Sequence, residues 1–243
     1  ILIKLHKGLD INLKGRAAEK KIQLKSNGKY ALVPDDFEGV TPKVVVKEGD
    51  KVQAGDALFV NKQYPEVKFA SPVSGTVSAV VRGERRKVLC VKVDADAQQS
   101  FVDFGKKDVA KLDGKAVIDA LLEAGLFGYI NQLPYAVSTN PSVMPKAIFV
   151  SALRDKPLAA DFEYEVKGQE ADFQTGLTAL SKIAKTYLGV GVGSALENVK
   201  DVEVYVFDGK CPAGNVGVQV NNIDIIVLME IVGIMKKDRD RKS

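Results

Sequence analysis

The chain has 243 residues, 46% of them hydrophobic and 27% charged, with a formal net charge of +4. That length gives one or two domains and a substantial core, and the composition is that of a soluble globular protein rather than a disordered or fibrous one. Lysine and arginine are interspersed with acids along the whole chain, which excludes a nucleic-acid-binding stripe.

The opening Ile1-Leu2-Ile3-Lys4 lacks the apolar core and cleavage site of a signal peptide. Residues 1–30 alternate apolar positions (Ile1, Ile3, Leu5) but break at Gly8 and Gly15, and are expected to form an irregular N-terminal β arm. With Lys4, Lys7 and Lys14 it suits either closing its own sheet or adding a strand to a partner. Residues 31–100 are expected to form a compact β domain. Between Val44 and Val93 short β-branched runs are punctuated by Gly49-Asp50, Gly55-Asp56, Ser71-Pro72 and Ser74-Gly75, the pattern of closely spaced strands and tight turns. The order V-x-x-G-D-x-V-x-x-G-D-x-L … A-S-P-V-S-G-T-V resembles the barrel-sandwich hybrid of biotinyl and lipoyl carriers, whose central hairpin presents a modified lysine. Here that hairpin is Asn61-Lys62-Gln63-Tyr64-Pro65-Glu66, with a Tyr-Pro tip and Lys62 displaced from it. The scaffold is expected without the carrier chemistry; biotin or lipoate on Lys62 is the alternative. Arg82, Arg85, Arg86 and Lys87 read as a solvated hairpin, with an anion or lipid-headgroup site as the alternative. Cys90 reads as an inert core thiol, and with Cys211 it fits no metal spacing and needs no disulfide.

Residues 101–223 change period. Asp113 to Gly125 places Val117, Ile118, Leu121 and Leu122 on one helical face, with Asp113 as cap and Gly125 as stop. Ala147–Val150 reads as a buried strand. A second helix is expected from Asp172 to Leu188, closed by Gly189, followed by strands at Val190–Val192 and Val202–Phe207. This alternation predicts an α/β domain with a mainly parallel sheet. Residues 224–243 are expected to be a truncated end or an ordered piece joined across a gap. Their apolar run, Ile225 to Met235, is broken by Glu230 and is too short to span a bilayer.

Little in the chain carries chemistry. A single histidine, His6, leaves no material for a hydrolase triad or a His-based metal site, so no catalytic residue and no metal ligand is assigned. Gly189-Val190-Gly191-Val192-Gly193 resembles a dinucleotide loop, but the expected helix before it and the missing helix after it argue for a helix cap leading into a crowded strand. There is no P-loop. Gly209 to Gly217, directly after a strand, is a tight loop at the sheet edge where α/β proteins bind ligands. Lys210, Cys211, Pro212 and Gly214 are therefore the candidate binding residues, with backbone N–H groups facing an anion or carbonyl oxygen; a purely structural turn is the alternative.

Several segments together resemble the A-subunit family of the sodium-translocating NADH:quinone oxidoreductase. They are Lys7-Gly8-Leu9-Asp10, the sandwich from Gly49-Asp50 to Val77, Glu123 to Phe127, Pro145 to Leu153, Pro157 to Asp161, Asp172 to Leu177, and Pro212-Ala213-Gly214. The resemblance runs from residue 1 to about 223 and implies the N-terminal half of a longer polypeptide. It implies a barrel-sandwich hybrid followed by a Rossmann-like α/β domain similar to the flavoprotein subunit of complex I, without its cofactor motifs. It also implies a peripheral subunit on the cytoplasmic face of a bacterial inner membrane, held there by the other subunits of the complex. NADH, flavins and an iron–sulfur centre are then expected on those partners, none on this chain, with a contribution to quinone binding. Where the family often carries a histidine, this sequence has Cys211. A soluble flavin- or NAD-dependent oxidoreductase is the remaining alternative.

Overall fold

The computed structural model describes residues 1–15, 18–23 and 25–223, and the backbone of 232–235. The chain divides into two compact units: a mainly β unit of Gln23–Lys107 and Ile118–Val143, and an α/β unit of Ile1–Ile22, Asp108–Val117 and the described part of Met144–Met235.

After the first strand, β1 (Leu2–Lys4), come the strands of the β unit: β2 (Lys29–Leu32), β3 (Pro42–Val44), β4 (Lys51–Val52), β5 (Ala57–Asn61), β6 (Lys68–Ala70), β7 (Gly75–Arg82) and β8 (Val88–Ala95). They form two antiparallel sheets, ordered β2-β8-β7-β4 and β3-β5-β6. Leu58, Phe59, Val67, Phe69, Val77, Val91 and Val93 are fully buried and make the core. The repeated G-D signature has one physical cause. In each copy glycine takes a positive φ, 90° at Gly49 and 104° at Gly55, which a side chain would resist. The following aspartate then folds back: Asp50 Oδ2 accepts from Lys47 N–H at 2.9 Å, and Asp56 Oδ2 accepts from Gln53 N–H at 2.6 Å. At Gly75 the constraint is a close approach instead, because a Cβ would strike the Asp94 carbonyl across the ladder.

Helix α1 (Gly114–Glu123) begins where Asp113 Oδ1 accepts from Ala116 N–H at 2.8 Å. It ends at Gly125, φ 70°, with Leu126 N–H reaching Leu121 O at 2.8 Å in a Schellman-type stop. Beyond it, β9 (Ile130–Gln132) and β10 (Val137–Ser138) form a short antiparallel pair. This stretch completes the β unit's aromatic cluster. The Phe37 ring lies 4.3 Å from that of Phe69 and 5.3 Å from Tyr129, and Phe59 stacks on Phe69 at 4.8 Å.

The α/β unit continues with β11 (Ala147–Ser151), α2 (Phe162–Val166), α3 (Glu170–Ile183), β12 (Lys185–Gly191), β13 (Glu203–Asp208), α4 (Val216–Ile223) and β14 (Val232–Met235). Its strands pair in parallel in the order β1-β13-β12-β11-β14. From β11 onward the chain adds strands to one side, then crosses β11 to place β14, so the order reverses between β11 and β14 as in a doubly wound sheet. Leu177 of α3 packs with Leu188, Val190, Phe162 and Leu196 in one core.

Two expectations are corrected. The second helix stops at Ile183, not Leu188, and Gly189 does not cap it. Lys185-Thr186-Tyr187-Leu188 is instead the start of a central strand, in which Tyr187 pairs with both Phe149 and Glu203 while Leu188 and Val190 are fully enclosed. Tertiary pairing on both sides overrides the helical spacing of Leu188. A strand therefore precedes Gly189-Val190-Gly191. A Cβ on Gly189 would run into the Gln219 amide, so that glycine serves packing against α4. The N-terminal arm closes its own sheet: the Ile1 amino group donates to Val204 O at 3.0 Å, Val206 N–H to Ile1 O at 2.8 Å, and Leu5 N–H to Asp208 O at 2.8 Å. Of the expected terminal segment, 224–231 and 236–243 lie outside the described residues.

Candidate functional site

In a parallel sheet of this order, ligands bind at the carboxyl ends of the strands. Here that edge is formed by the loops after β1, β11, β12 and β13. Asn215 starts α4 by accepting from Gly217 N–H through Oδ1 at 2.8 Å, and this fixes the preceding loop, Gly209–Gly214. Inside the loop, Ala213 N–H donates to Lys210 O at 3.0 Å and Asn215 N–H to Pro212 O at 2.9 Å. Ala213 is fully enclosed, and its carbonyl accepts from Gln219 Nε2 at 3.0 Å.

Two further N–H groups of the loop, those of Cys211 and Gly214, are occupied by carboxylates. Cys211 N–H donates to Asp10 Oδ1 at 3.1 Å, and Leu9 N–H returns a bond to Cys211 O at 2.9 Å. Gly214 N–H donates to Asp155 Oδ2 at 2.8 Å, while Ser151 Oγ donates to Gly214 O at 3.3 Å. The loop after β12 repeats the device: Gly193 N–H is taken by Glu197 Oε1 at 3.1 Å and Ala195 N–H by Glu163 Oε2 at 3.0 Å. Thus four carboxylates of the chain itself sit on the donors that would otherwise cradle a phosphate. A dinucleotide pyrophosphate would have to displace them against like charge.

The candidates from sequence fall into place unevenly. Cys211 and Gly214 are half-buried within the loop, while Lys210 and Pro212 are exposed. Burial pushes the Cys211 thiol pKa up, and the charges of Asp155 and Asp10 push it further, against a smaller opposing effect of Lys156. The thiol is therefore held protonated rather than activated. Gly214 does not take a positive φ; it is required because a Cβ would lie 2.6 Å from Leu153 O and 2.7 Å from Asp155 Oδ1. Sequence reasoning missed Asp10, Ser151, Asp155 and Gln219. The only available signal was Gln219 itself, a polar residue amid the apolar Val216-Gly217-Val218-Gln219-Val220. In the β unit, Lys62 is exposed at the start of the β5–β6 connection, next to the buried Asn61, whose Oδ1 accepts from Gln63 N–H at 3.0 Å. At the opposite, amino-terminal edge of the parallel sheet lies an open groove of about 360 Å³ between Ser181, Lys185, Thr186, Asp201, Val202 and Glu203. The Lys185–Glu203 ion pair at 2.8 Å spans it. Among the described residues no His, Cys, Asp or Glu side chains group as a metal site.

A β unit built on paired Gly-Asp turns, carried by the same chain as a doubly wound parallel sheet, defines a protein of the barrel-sandwich-plus-α/β class. Comparison with known families makes that more specific. The family described as the NqrA N-terminal barrel-sandwich hybrid domain matches residues 3–96, and that described as the NqrA second alpha/beta domain matches residues 112–237. The chain belongs to the NqrA family. It is similar to the A subunit of the Na(+)-translocating NADH-quinone reductase of Pseudomonas aeruginosa, 33% identical over 227 residues, covering 92% of this chain and 51% of that protein. The proteins of the same name from Saccharophagus degradans and Yersinia pestis are 34% and 31% identical, over 92% and 95% of this chain and 51% and 53% of their own length. The chain thus spans about half the length of the curated relatives it matches.

Proposed function

We propose that this chain serves as part of the A subunit of a Na+-translocating NADH:quinone reductase, a complex that couples NADH oxidation and quinone reduction to sodium export. In this reading it is a peripheral, non-catalytic component on the cytoplasmic face of a bacterial inner membrane. It is attached through the other subunits and contributes to quinone binding, while NADH, flavins and the iron–sulfur centre reside on those partners. The observation that carries the reading is the presence of both family domains, in order, on one chain whose relatives bear that name. The occupied sheet edge supports it, since four carboxylates stand where a nucleotide phosphate would bind. Among the described residues no helix is long and apolar enough to cross a membrane, which agrees with attachment through partners. The Lys210, Cys211, Pro212 and Gly214 loop then acts as a surface for contact rather than as a centre for chemistry.

Affinity purification of the tagged full-length protein from native membranes tests this. Recovery with a flavin-bearing complex that reduces quinone with NADH is the expected result. Recovery of the chain alone, or a purified chain that itself carries flavin, would overturn it.

A further inference from the structure

We propose that the tip of the β7–β8 hairpin docks onto a carboxylate-bearing surface of a partner protein through the guanidinium groups of Arg85 and Arg86. The inference rests on the reading above that the chain is held by protein partners. Three features of the hairpin carry it.

The backbone is set against the residues it bears. Lys87 N–H donates to Glu84 O at 3.1 Å and Gly83 N–H to Lys87 O at 2.8 Å, closing a four-residue turn. Both central residues are left-handed, Arg85 at φ 52° and ψ 28° and Arg86 at φ 62°. A hairpin turn with two positive φ values favours Asn-Gly, and long L side chains are disfavoured there. Two consecutive arginines oppose the local preference, and such conflicts concentrate at functional positions.

The ladder also shifts register between Val81, opposite Cys90, and Arg82, opposite Val88. A bulge at that point bends the strand and turns the tip.

Finally, the two arginine charges at the tip are uncommitted, unlike that of Lys87. Lys87 Nζ lies 2.7 Å from Asp35, and Arg82 Nη1 donates to Arg86 O at 3.2 Å. The exposed guanidinium groups of Arg85 and Arg86 meet no carboxylate among the described residues. Leu89, 41% exposed, packs beside Gly83 and adds an apolar edge to the tip.

A planar guanidinium matches a carboxylate bidentately. An anionic bilayer offers the same charge, but lipid-binding segments cluster about four to eight cations. Here Arg82, Arg85, Arg86 and Lys87 are offset by Glu84 and Asp35. A turn held by its own hydrogen bonds also suits fixed carboxylates better than a fluid layer. The geometry favours a protein surface.

The test uses the tagged full-length protein expressed with its membrane partners, as wild type, as the Arg85→Asn/Arg86→Gly pair and as the Arg85→Glu/Arg86→Glu pair. The Asn-Gly pair relieves the turn and should raise the thermal midpoint of the purified chain by about 2–4 °C. It should nevertheless recover about ten-fold less partner than wild type at moderate salt, and the charge reversal should recover less still. Greater stability with weaker docking is a combination that a merely solvated turn would not produce. Recovery of the Asn-Gly pair at the wild-type level throughout a salt series would overturn this inference while leaving the proposed function standing. Recovery of the wild type alone would overturn both. Flotation with phosphatidylglycerol–phosphatidylcholine vesicles separates the sources of charge. No flotation of the wild type supports the protein surface, whereas flotation abolished by the Asn-Gly pair would reassign the tip to lipid headgroups.

Discussion

Gly214 and Cys211 lie three residues apart in one loop but answer to different constraints. A side chain at Gly214 has no room between Leu153 O and Asp155, so Gly214→Val must displace Asp155 from the N–H it accepts. Overpacking of this kind costs about 1–3 kcal/mol, and a lowered denaturant midpoint of the α/β unit is the expected result. Cys211→Ser keeps the backbone bonds to Asp10 and Leu9, which involve no side-chain atom of residue 211; it should leave both that midpoint and the quinone reductase activity of the assembled complex close to wild type. The thiol itself can be probed by alkylation. After burial, the largest influence raising its pKa is Asp155, with Asp10 behind it. Asp10→Asn removes one negative charge, lowers the pKa and should speed iodoacetamide labelling at neutral pH, because more of the thiol is then thiolate. Slower or unchanged labelling would contradict that electrostatic account. The loop's position was legible in the sequence, since glycine and proline mark a turn after a strand. Its partners were not: Asp10 and Asp155 stand 201 and 59 residues from the N–H groups they accept, and no local pattern connects them.

Elements with both ends marked in the sequence were readable. Helix α1 has its cap and its glycine stop within the chain's own local chemistry, so Asp113 to Gly125 gave it correctly. Asp113→Ala should cost about 1 kcal/mol by freeing the Ala116 N–H, read as a shift in urea midpoint at unchanged slope; no shift would show that the cap is replaceable by water. The Gly-Asp turns were equally legible, because glycine and aspartate act within four residues of each other. The border between α3 and β12 was not. Leu180, Ala184 and Leu188 keep helical spacing across it, and only the pairing of Tyr187 and Leu188 with two neighbouring strands decides for strand. Such pairing is non-local, so periodicity alone misplaces the border by five residues, from Ile183 to Leu188.

At the scale of the molecule, linear order and spatial grouping diverge. The α/β unit draws its edge strand from the N-terminus, and the β unit draws 118–143 from beyond the start of α1. Motifs assign both domain types correctly but cannot show which stretches supply each core. The β unit makes this testable, because its aromatic cluster crosses the break in sequence. Phe37 packs on both Phe69 and Tyr129, and Gly128 lies so close to the Phe69 ring that a Cβ would strike it. A fragment of residues 23–107 retains all seven strands from β2 to β8 yet leaves those two rings uncovered. Loss of the Phe37–Tyr129 pair removes about 0.5–1.5 kcal/mol beyond the area it buried. In a unit of this size, that is a large share of net stability. The 23–107 fragment should therefore unfold at lower urea than the 23–143 fragment and bind a hydrophobic dye that the longer fragment excludes. Equal midpoints, with no dye bound by either, would show that the sandwich is self-sufficient and that 118–143 merely rests on it.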